Sequence, residues 1–329
     1  MNKKILFCVF ALTLIFFSCK KSNNTLKVYA IIHDEETKAL LDAFSKESGI
    51  KAEYVHTTTG ALISKIKEER DNPQGDILLG GAASYHIDLA KDGLLEEYKS
   101  PVAKDFPESL LSLDSTWTPF CALIIGVGVN EKLYKEKFPN KKYPKTWDDL
   151  LDPAFKGQIV LTDPLFSSTG YLFLQNQLQR LGDKDGWKYL EELKPLVGNF
   201  PKSGSAPARL IGTNEFPICV SYLHAIAKYA SLGYKIIPLS IEDCVTDMDC
   251  ISIIKGTKNL ENSKKFVDFI LSTKGSEIMS KISFTTPINP NCSFTDGVVE
   301  FDEIKAIDYD KNKASLEREY VLKKWEEIQ

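Results

Sequence analysis

The sequence predicts an α/β protein of doubly wound sheets, and three observations carry that prediction. Strand and helix patterns alternate strictly over the first 70 or so residues that follow position 25. The third strand pattern there, "GDILLGG", is short and wholly apolar, as in a parallel sheet covered on both faces. A second alternating set then runs roughly from residue 122 to 249, without any internal repeat of the first.

The elements follow in order. "TLKVYAII" is a strand, and "DEETKALLDAFSKESG" an amphipathic helix that Asp34 can cap and Gly49 closes. "IKAEYVHTTT" is the next strand. "GALISKIKEERDNP" is the next helix, with Leu62, Ile63 and Ile66 on one face. "ASYHIDLAKDG" is the helix after the third strand. In the second set, "WTPFCALIIGVGVN" is a long strand and "PKTWDDLLDPAFKGQIVLTDP" a turn, a short helix and a strand. "TGYLFLQNQLQRLG" and "DGWKYLEELKPLVG" are helices, "SGSAPARLIGTN" a loop entering a helix, and "FPICVSYLHAIAKYASLG" a strand followed by a helix. After "CISIIKGTKN" come one helix, "ENSKKFVDFILSTKGSEIMSKI", and a C-terminal helix near 314–328.

The first residues read as a targeting segment. "MNKK" is positive and "ILFCVFALTLIFF" is an apolar run of 13 residues, short of the about 20 that a spanning helix needs. "FFSC" then gives way to "KKSNNT", a pattern similar to a bacterial lipobox, with Phe16 where Leu is usual. The expectation is a signal peptide over 1–18, lipidation of Cys19, a polar tether over 19–26, and an exported chain anchored on the extracytoplasmic side of a bacterial membrane.

The remaining chain is long enough for one large domain or two lobes. The formal net charge is −4, more negative once the leader's two lysines are gone, and no basic block appears, which argues against nucleic acid as a partner. Of seven cysteines, Cys8 lies in the leader and Cys19 is the expected lipidation site. Cys121 and Cys219 lie in apolar strand patterns and read as small buried hydrophobes, while Cys244 and Cys250 are close enough in sequence to pair. No Cys/His spacing for zinc is present.

No catalytic motif stands out: there is no GxSxG, no HExxH and no Walker loop. What recurs is the strand-to-helix junction carrying small or hydroxyl residues. Four are present: "HTTTG" (56–60), "LGGAAS" (79–84), "FSSTG" (166–170) and "KSGSAP" (202–207). Ligands of open α/β sheets sit beyond the carboxyl ends of the strands. Helix starts there offer unpaired N–H groups and partial positive charge, enough to hold an anion without Lys or Arg.

In order and spacing, "LKVYAIIHDEETKALLDAFSKESGIKAEY", "TTTGALISKIKEERDNPQGDILLGG", "GVGVNEKL", "PKTWDDLLDPAFKGQIVLTDP", "GSAPARLIGTNEFPICVSY" and "IIKGTKNLENSKKFVDFILSTKGSEIM" resemble the extracytoplasmic solute-binding proteins of bacterial ABC importers, in the ferric-ion-binding class. The resemblance covers nearly all of residues 27–290. It implies two α/β lobes joined by crossing hinge strands and closing on ligand: 27–121 plus 250–290, and 122–249 plus 291–329. It also implies no enzymatic activity, no resident cofactor, a monomer, and a membrane permease as partner.

The class implies ferric iron with a synergistic anion as cargo. His33 falls where the iron-binding His of that class is expected, and Tyr222 matches the second of its two tyrosines. Ser221 replaces the first, and no carboxylate follows the third strand, where Gly81, Ala82 and Ser84 stand. Relatives in the class bind phosphorylated sugars or phosphonates, so a phosphorylated small organic molecule is the alternative cargo. Thr58, Thr59, Ser167, Ser168, Thr169, Gly170, Ser203 and Ser205 are then the expected anion-binding residues, with His224 and Asp247 on the organic side. "EDCVTDMD" departs from the "EGTG" of those relatives. His56 and His86 read as structural or surface residues, and Trp117, Trp147 and Trp187 as packing. A rival from another class is a secreted ester hydrolase with Ser167 or Ser168 as nucleophile, which needs a base within hydrogen-bond reach. A further rival is an adhesin on an inherited binding fold.

Overall fold

The computed structural model describes residues 25–293, 295, 297, 298 and 304–328. The leader and Cys19 lie outside the described residues. The first βα units are β1 (Leu26–Ala30), α1 (Asp34–Ser48), β2 (Ala52–His56), α2 (Thr59–Glu68), β3 (Ile77–Ala82) and α3 (Ala83–Lys91). β3 is buried along its whole length. In α1 the buried Leu40, Leu41 and Phe44 share one face, and Phe44 meets Phe266 edge to face at 4.9 Å. Gly49 closes this helix in the left-handed conformation, as expected. Asp34 is not its cap: the cap position is His33, whose side chain makes no capping bond.

After the short β4 (Leu95–Glu96) comes β5 (Thr118–Asn130), thirteen residues and buried throughout. Then follow α4 (Glu131–Lys137), β6 (Ile159–Leu161), α5 (Ser168–Leu181), α6 (Asp183–Leu193), β7 (Val197–Asn199), α7 (Ala206–Gly212), β8 (Ile218–Tyr222), α8 (Leu223–Ser231), β9 (Ile236–Leu239) and β10 (Thr246–Ile254). The stretch read as one helix is two, α9 (Leu260–Leu271) and α10 (Thr273–Ser283). Ser272 sits between them in an extended conformation, and its hydroxyl caps α10 at Gly275 N–H. After β11 (Thr286–Pro287), the C-terminal helix also divides, into α11 (Lys311–Leu316) and α12 (Arg318–Ile328).

The eleven strands form one sheet in the order β2-β1-β3-β10-β5-β8-β6-β7, with β4 on β10 and with β9 and β11 on β5. Pairing is parallel within each half (β1 with β2 and β3; β6 with β7 and β8). It is antiparallel where the halves meet, at β3–β10, β10–β5 and β5–β8. β5 serves both halves: Thr118–Ile124 pairs β10, and Ile125–Val129 pairs β8. Two long strands thus connect two doubly wound lobes. Trp117, Trp147 and Trp187 are buried and pack in the core, as read. Among the described residues no helix is long and apolar enough to cross a membrane.

Cys121 and Cys219 are buried, as their apolar surroundings predict. Cys244 and Cys250 do not pair; both are free and buried. Cys250 lies inside β10, while Cys244 precedes that strand and bridges to Ala306. Extended chain advances about 3.3 Å per residue, so six residues place the two Cα atoms far beyond the about 7 Å limit for a disulfide.

Candidate functional site

Strand ends from both lobes face one another across a cleft of about 640 Å³. The first lobe contributes Ile31–His33 beyond β1 and His56–Thr59 at the end of β2. The second contributes Phe166–Thr169, Lys202–Ser205, Tyr222, His224 and Lys228. Asp249 of β10, with Ser283 and Thr285 near the end of α10, completes the polar lining.

Three of the four predicted hydroxyl junctions therefore converge. The fourth does not. Residues 79–84 lead into α3, and there Ser84 accepts a hydrogen bond from Arg318 Nη2 at 2.6 Å. The C-terminal helix has covered that helix start.

Capping decides what the hydroxyls in the cleft are free to do. Ser167 caps α5, its Oγ accepting from Thr169 N–H at 3.3 Å. Thr58 and Ser205 occupy the cap positions of α2 and α7 but make no such bond; the Thr58 hydroxyl is left to the cleft, and Ser205 Oγ lies 3.5 Å from Ser203 Oγ within its loop. The 203–205 loop is held by its Gly204 carbonyl, which accepts from Ser221 Oγ at 3.2 Å. Gly204 is needed there: a Cβ would stand 2.4 Å from Thr169 Oγ1 and 2.9 Å from Ser167 Oγ. Gly170 is not part of the lining. A Cβ at that position would meet the Thr162 carbonyl at 2.4 Å, so this glycine lets α5 start hard against the strand exit.

The other side of the cleft is carboxyl and imidazole. Asp247 does not line it; it is buried, and Arg318, Lys311 and the Met248 and Ala83 N–H groups oppose the rise that burial imposes on its carboxyl, which reaches about 6. Asp249, two residues on, does line it, and Gly81 N–H donates to its Oδ1 at 2.6 Å. Burial pushes the Asp249 carboxyl up to about 7; the Gly81 bond opposes that shift, and Asp247 adds to it. Desolvation pulls the His224 imidazole down to about 3 and holds His33 below its usual range against the opposing charge of Glu36. His224 stacks on Tyr222 at 5.2 Å. The Tyr222 hydroxyl is buried, and burial and then Asp249 push it well above its usual range, with the nearby Ser168 and Thr169 hydroxyls acting the other way.

His33 and Tyr222, the expected iron ligands, both line the cleft. Among the described residues no three His, Cys, Asp or Glu side chains gather to hold a metal ion. His86 is structural, as read: it is buried between Ser252 Oγ at 2.5 Å and the Gly80 carbonyl at 3.0 Å. His56 bonds the Ala30 carbonyl at 3.2 Å and also reaches the cleft.

The lining residues that sequence reading did not single out include Glu36, Lys202 and Lys228, with Ser283 and Thr285, and Asp249 lines the cleft in place of the expected Asp247. Lys228 is one helical turn past His224, and Glu36 three residues past His33, spacings that share a helix face. Asp249 repeats the parity of Asp247 on one strand. Lys202, beside Ser203, lies with Nζ 4.2 Å from the Phe166 ring centroid; nothing in the sequence distinguishes it from other surface lysines.

Two α/β lobes linked by crossing strands, with helix starts and hydroxyls opposed across a cleft, define a two-lobed solute-binding protein. Residues 72–314 match the bacterial extracellular solute-binding protein family, and the chain belongs to it. A relative from Haemophilus influenzae, described only as an uncharacterized protein, is 32% identical over 293 residues, 86% of this chain and 84% of its own. A putative 2-aminoethylphosphonate-binding periplasmic protein of Salmonella typhimurium is 24% identical over 84% of this chain and 82% of its own. The fold matches the periplasmic binding protein AfuA from Actinobacillus pleuropneumoniae, solved with fructose-6-phosphate, at a TM-score of 0.89 and 28% identity, over 93% of this chain and 99% of that one. The last two are described as periplasmic binding proteins, and this chain is a solute-binding protein of ABC import acting outside the cytoplasm.

Proposed function

We propose that the chain captures a phosphorylated small organic molecule between its lobes and delivers it, unchanged, to a membrane permease. The observation that carries this reading is the convergence of three hydroxyl-bearing loops, two of whose cap-position hydroxyls leave their own helices uncapped. First-turn N–H groups of α2 and α5 add partial positive charge without a fixed cation. Charge-assisted hydrogen bonds of this kind contribute about 1.5–3 kcal/mol each, so four or five offset lobe closure and leave micromolar binding, about −8 kcal/mol. The cleft volume lies within the about 300–1,000 Å³ range of small-molecule sites.

Ferric iron with a synergistic anion is the competing cargo. His33 and Tyr222 favour it. Against it stand Ser221 in place of the first tyrosine and a carboxyl, Asp249, already bonded to Gly81 N–H. Fe³⁺ prefers anionic oxygen ligands, and this set supplies few. Thermal-shift titration of the purified protein with ferric citrate, inorganic phosphate, fructose 6-phosphate and 2-aminoethylphosphonate separates the two. A stabilisation rising with a phosphorylated organic probe is expected; a visible tyrosinate band with ferric salts, without such stabilisation, would overturn the reading.

Our reading further takes 27–121 with 250–290, and 122–249 with 291–329, as the two moving bodies. It also makes Cys19 the lipid anchor. Metabolic labelling with a fatty acid should mark the native protein and not Cys19→Ser.

A further inference from the structure

One carboxylate in the cleft is only half used. Glu36 is 2% exposed, and it enters the cleft from the first turn of α1. Its Oε1 accepts from Lys228 Nζ at 3.0 Å and from Ser283 Oγ at 2.8 Å. Its Oε2 is buried and has no partner in the protein. A buried, ionised oxygen without a donor is costly, by more than a neutral one. The bond from Lys228, with that from Ser283, holds the Glu36 carboxyl below its usual range against the opposing effect of burial. The group therefore remains an acceptor at neutral pH. Lys228 also binds Glu35 at 2.7 Å, so its charge is shared between two carboxylates.

The cation comes from the other lobe. Lys228 belongs to α8, packed on the β8–β9 half, whereas Glu36 belongs to α1 on the β1–β2 half. The acceptor is complete only when the two halves are close.

We infer that Glu36 determines specificity: its free Oε2 accepts a hydrogen bond from a donor group, hydroxyl or ammonium, on the part of the ligand remote from its phosphoryl group. This rests on the phosphorylated-ligand reading above and narrows it. The ligand is bifunctional, with an anion for the hydroxyl loops and a donor for Glu36. A site built around a buried acceptor discriminates strongly against an analogue that lacks the donor, because the acceptor then stays unpaired.

Calorimetric titration of the full protein tests this with four probes: ethylphosphonate and propyl phosphate, which lack a donor on the organic part, and 2-aminoethylphosphonate and fructose 6-phosphate, which carry one. The native protein is expected to favour a donor-bearing probe over its donor-free counterpart by about tenfold or more. Glu36→Gln should erase most of that preference and leave the donor-free probes within about twofold. Lys228→Gln is the second variant, with Glu36 intact and its charge less compensated. It should raise the preference for the ammonium probe over the hydroxyl probe, a change that a merely structural tie would not produce. If Glu36→Gln weakens all four probes alike, or none, and Lys228→Gln leaves the ammonium-to-hydroxyl ratio unmoved, the inference is overturned while the phosphate reading stands. If the native protein binds none of the four, the phosphate reading fails and the inference with it. Should the donor arm that responds be only the ammonium or only the hydroxyl, the ligand is assigned to that chemistry.

Discussion

The starts of α2 and α3 are alike in the sequence and opposite in use. Each follows a parallel strand of the first lobe, each begins with small or hydroxyl residues, and neither cap residue, Thr58 or Ala82, bonds its own helix through its side chain. Yet Thr58 and Thr59 open onto the cleft, whereas the start of α3 is covered by the chain's C-terminal end. Arg318 lies over it with its guanidinium 3.7 Å from the Tyr85 ring and 4.3 Å from the Tyr171 ring, and it bonds Ser84 and Asp88. The lesson is that an anion-friendly helix start becomes a site only where nothing else is laid upon it. Arg318 also ties α3 of the first lobe to α5 of the second, and Tyr171 Oη adds a bond to the Ala314 carbonyl at 2.5 Å. The covered start is thus a place of structure, and the open one a place of exchange.

The largest expected effect comes from uncovering α3. Arg318→Ala leaves Asp88 without its buried cation and both rings without their partner, and should cost about 3–5 kcal/mol in urea denaturation. Phosphate-ester affinity at the open start should move less than twofold; a larger change would break the contrast. Next is Gly204→Ala, which drives a methyl group toward Ser167 and Thr169. A cost of about 1–3 kcal/mol is expected, together with a tenfold or greater loss of affinity read by calorimetry.

Asp249 stands between the two starts, bonded to Gly81 ahead of α3 and lining the cleft that α2 opens on. Its folded value, about 7, exceeds the unfolded value near 4, so the folded chain holds this proton more tightly. Its contribution to stability is full below pH 4 and is lost as the pH rises to 7. Ligand-free protein should lose on the order of 3 kcal/mol over that window, and Asp249→Asn should flatten the decline. Asp247, pushed up to about 6, leaves a residual slope of the same sign. Denaturation midpoints at pH 4.5, 6 and 7.5 measure it; a native protein that gains stability across that range would contradict the assignment.

The smallest stability effects sharpen the comparison most. Ser167→Ala removes a true cap and should cost about 1 kcal/mol as well as affinity. Thr58→Val removes a hydroxyl that caps nothing, so stability should change by less than about 0.5 kcal/mol while phosphate-ester affinity falls about tenfold. Equal stability losses in the two variants would show that both hydroxyls serve their helices alone.

Much of the fold was legible because the relevant forces act locally. Strand and helix periods, the apolar run of β3 and the glycine closing α1 each place an element within a few residues. The breaks at Ser272 and Glu317 were not legible, because nothing in either apolar pattern signals an interruption. Nor was the split use of Asp247 and Asp249, neighbours of equal parity on β10 whose roles depend on what packs over each.

By itself, the sequence determined the alternating elements, the hydroxyl-rich helix starts and their placement beyond parallel strands, since propensity, periodicity and chain direction need no distant partner. Only the tertiary structure decided which starts stay open, that Glu36 keeps a free oxygen beside a lysine of the opposite lobe, and that Arg318 seals α3. The physical reason is that desolvation and pairing depend on residues brought together from opposite ends of the chain, and no local pattern records which of them will meet.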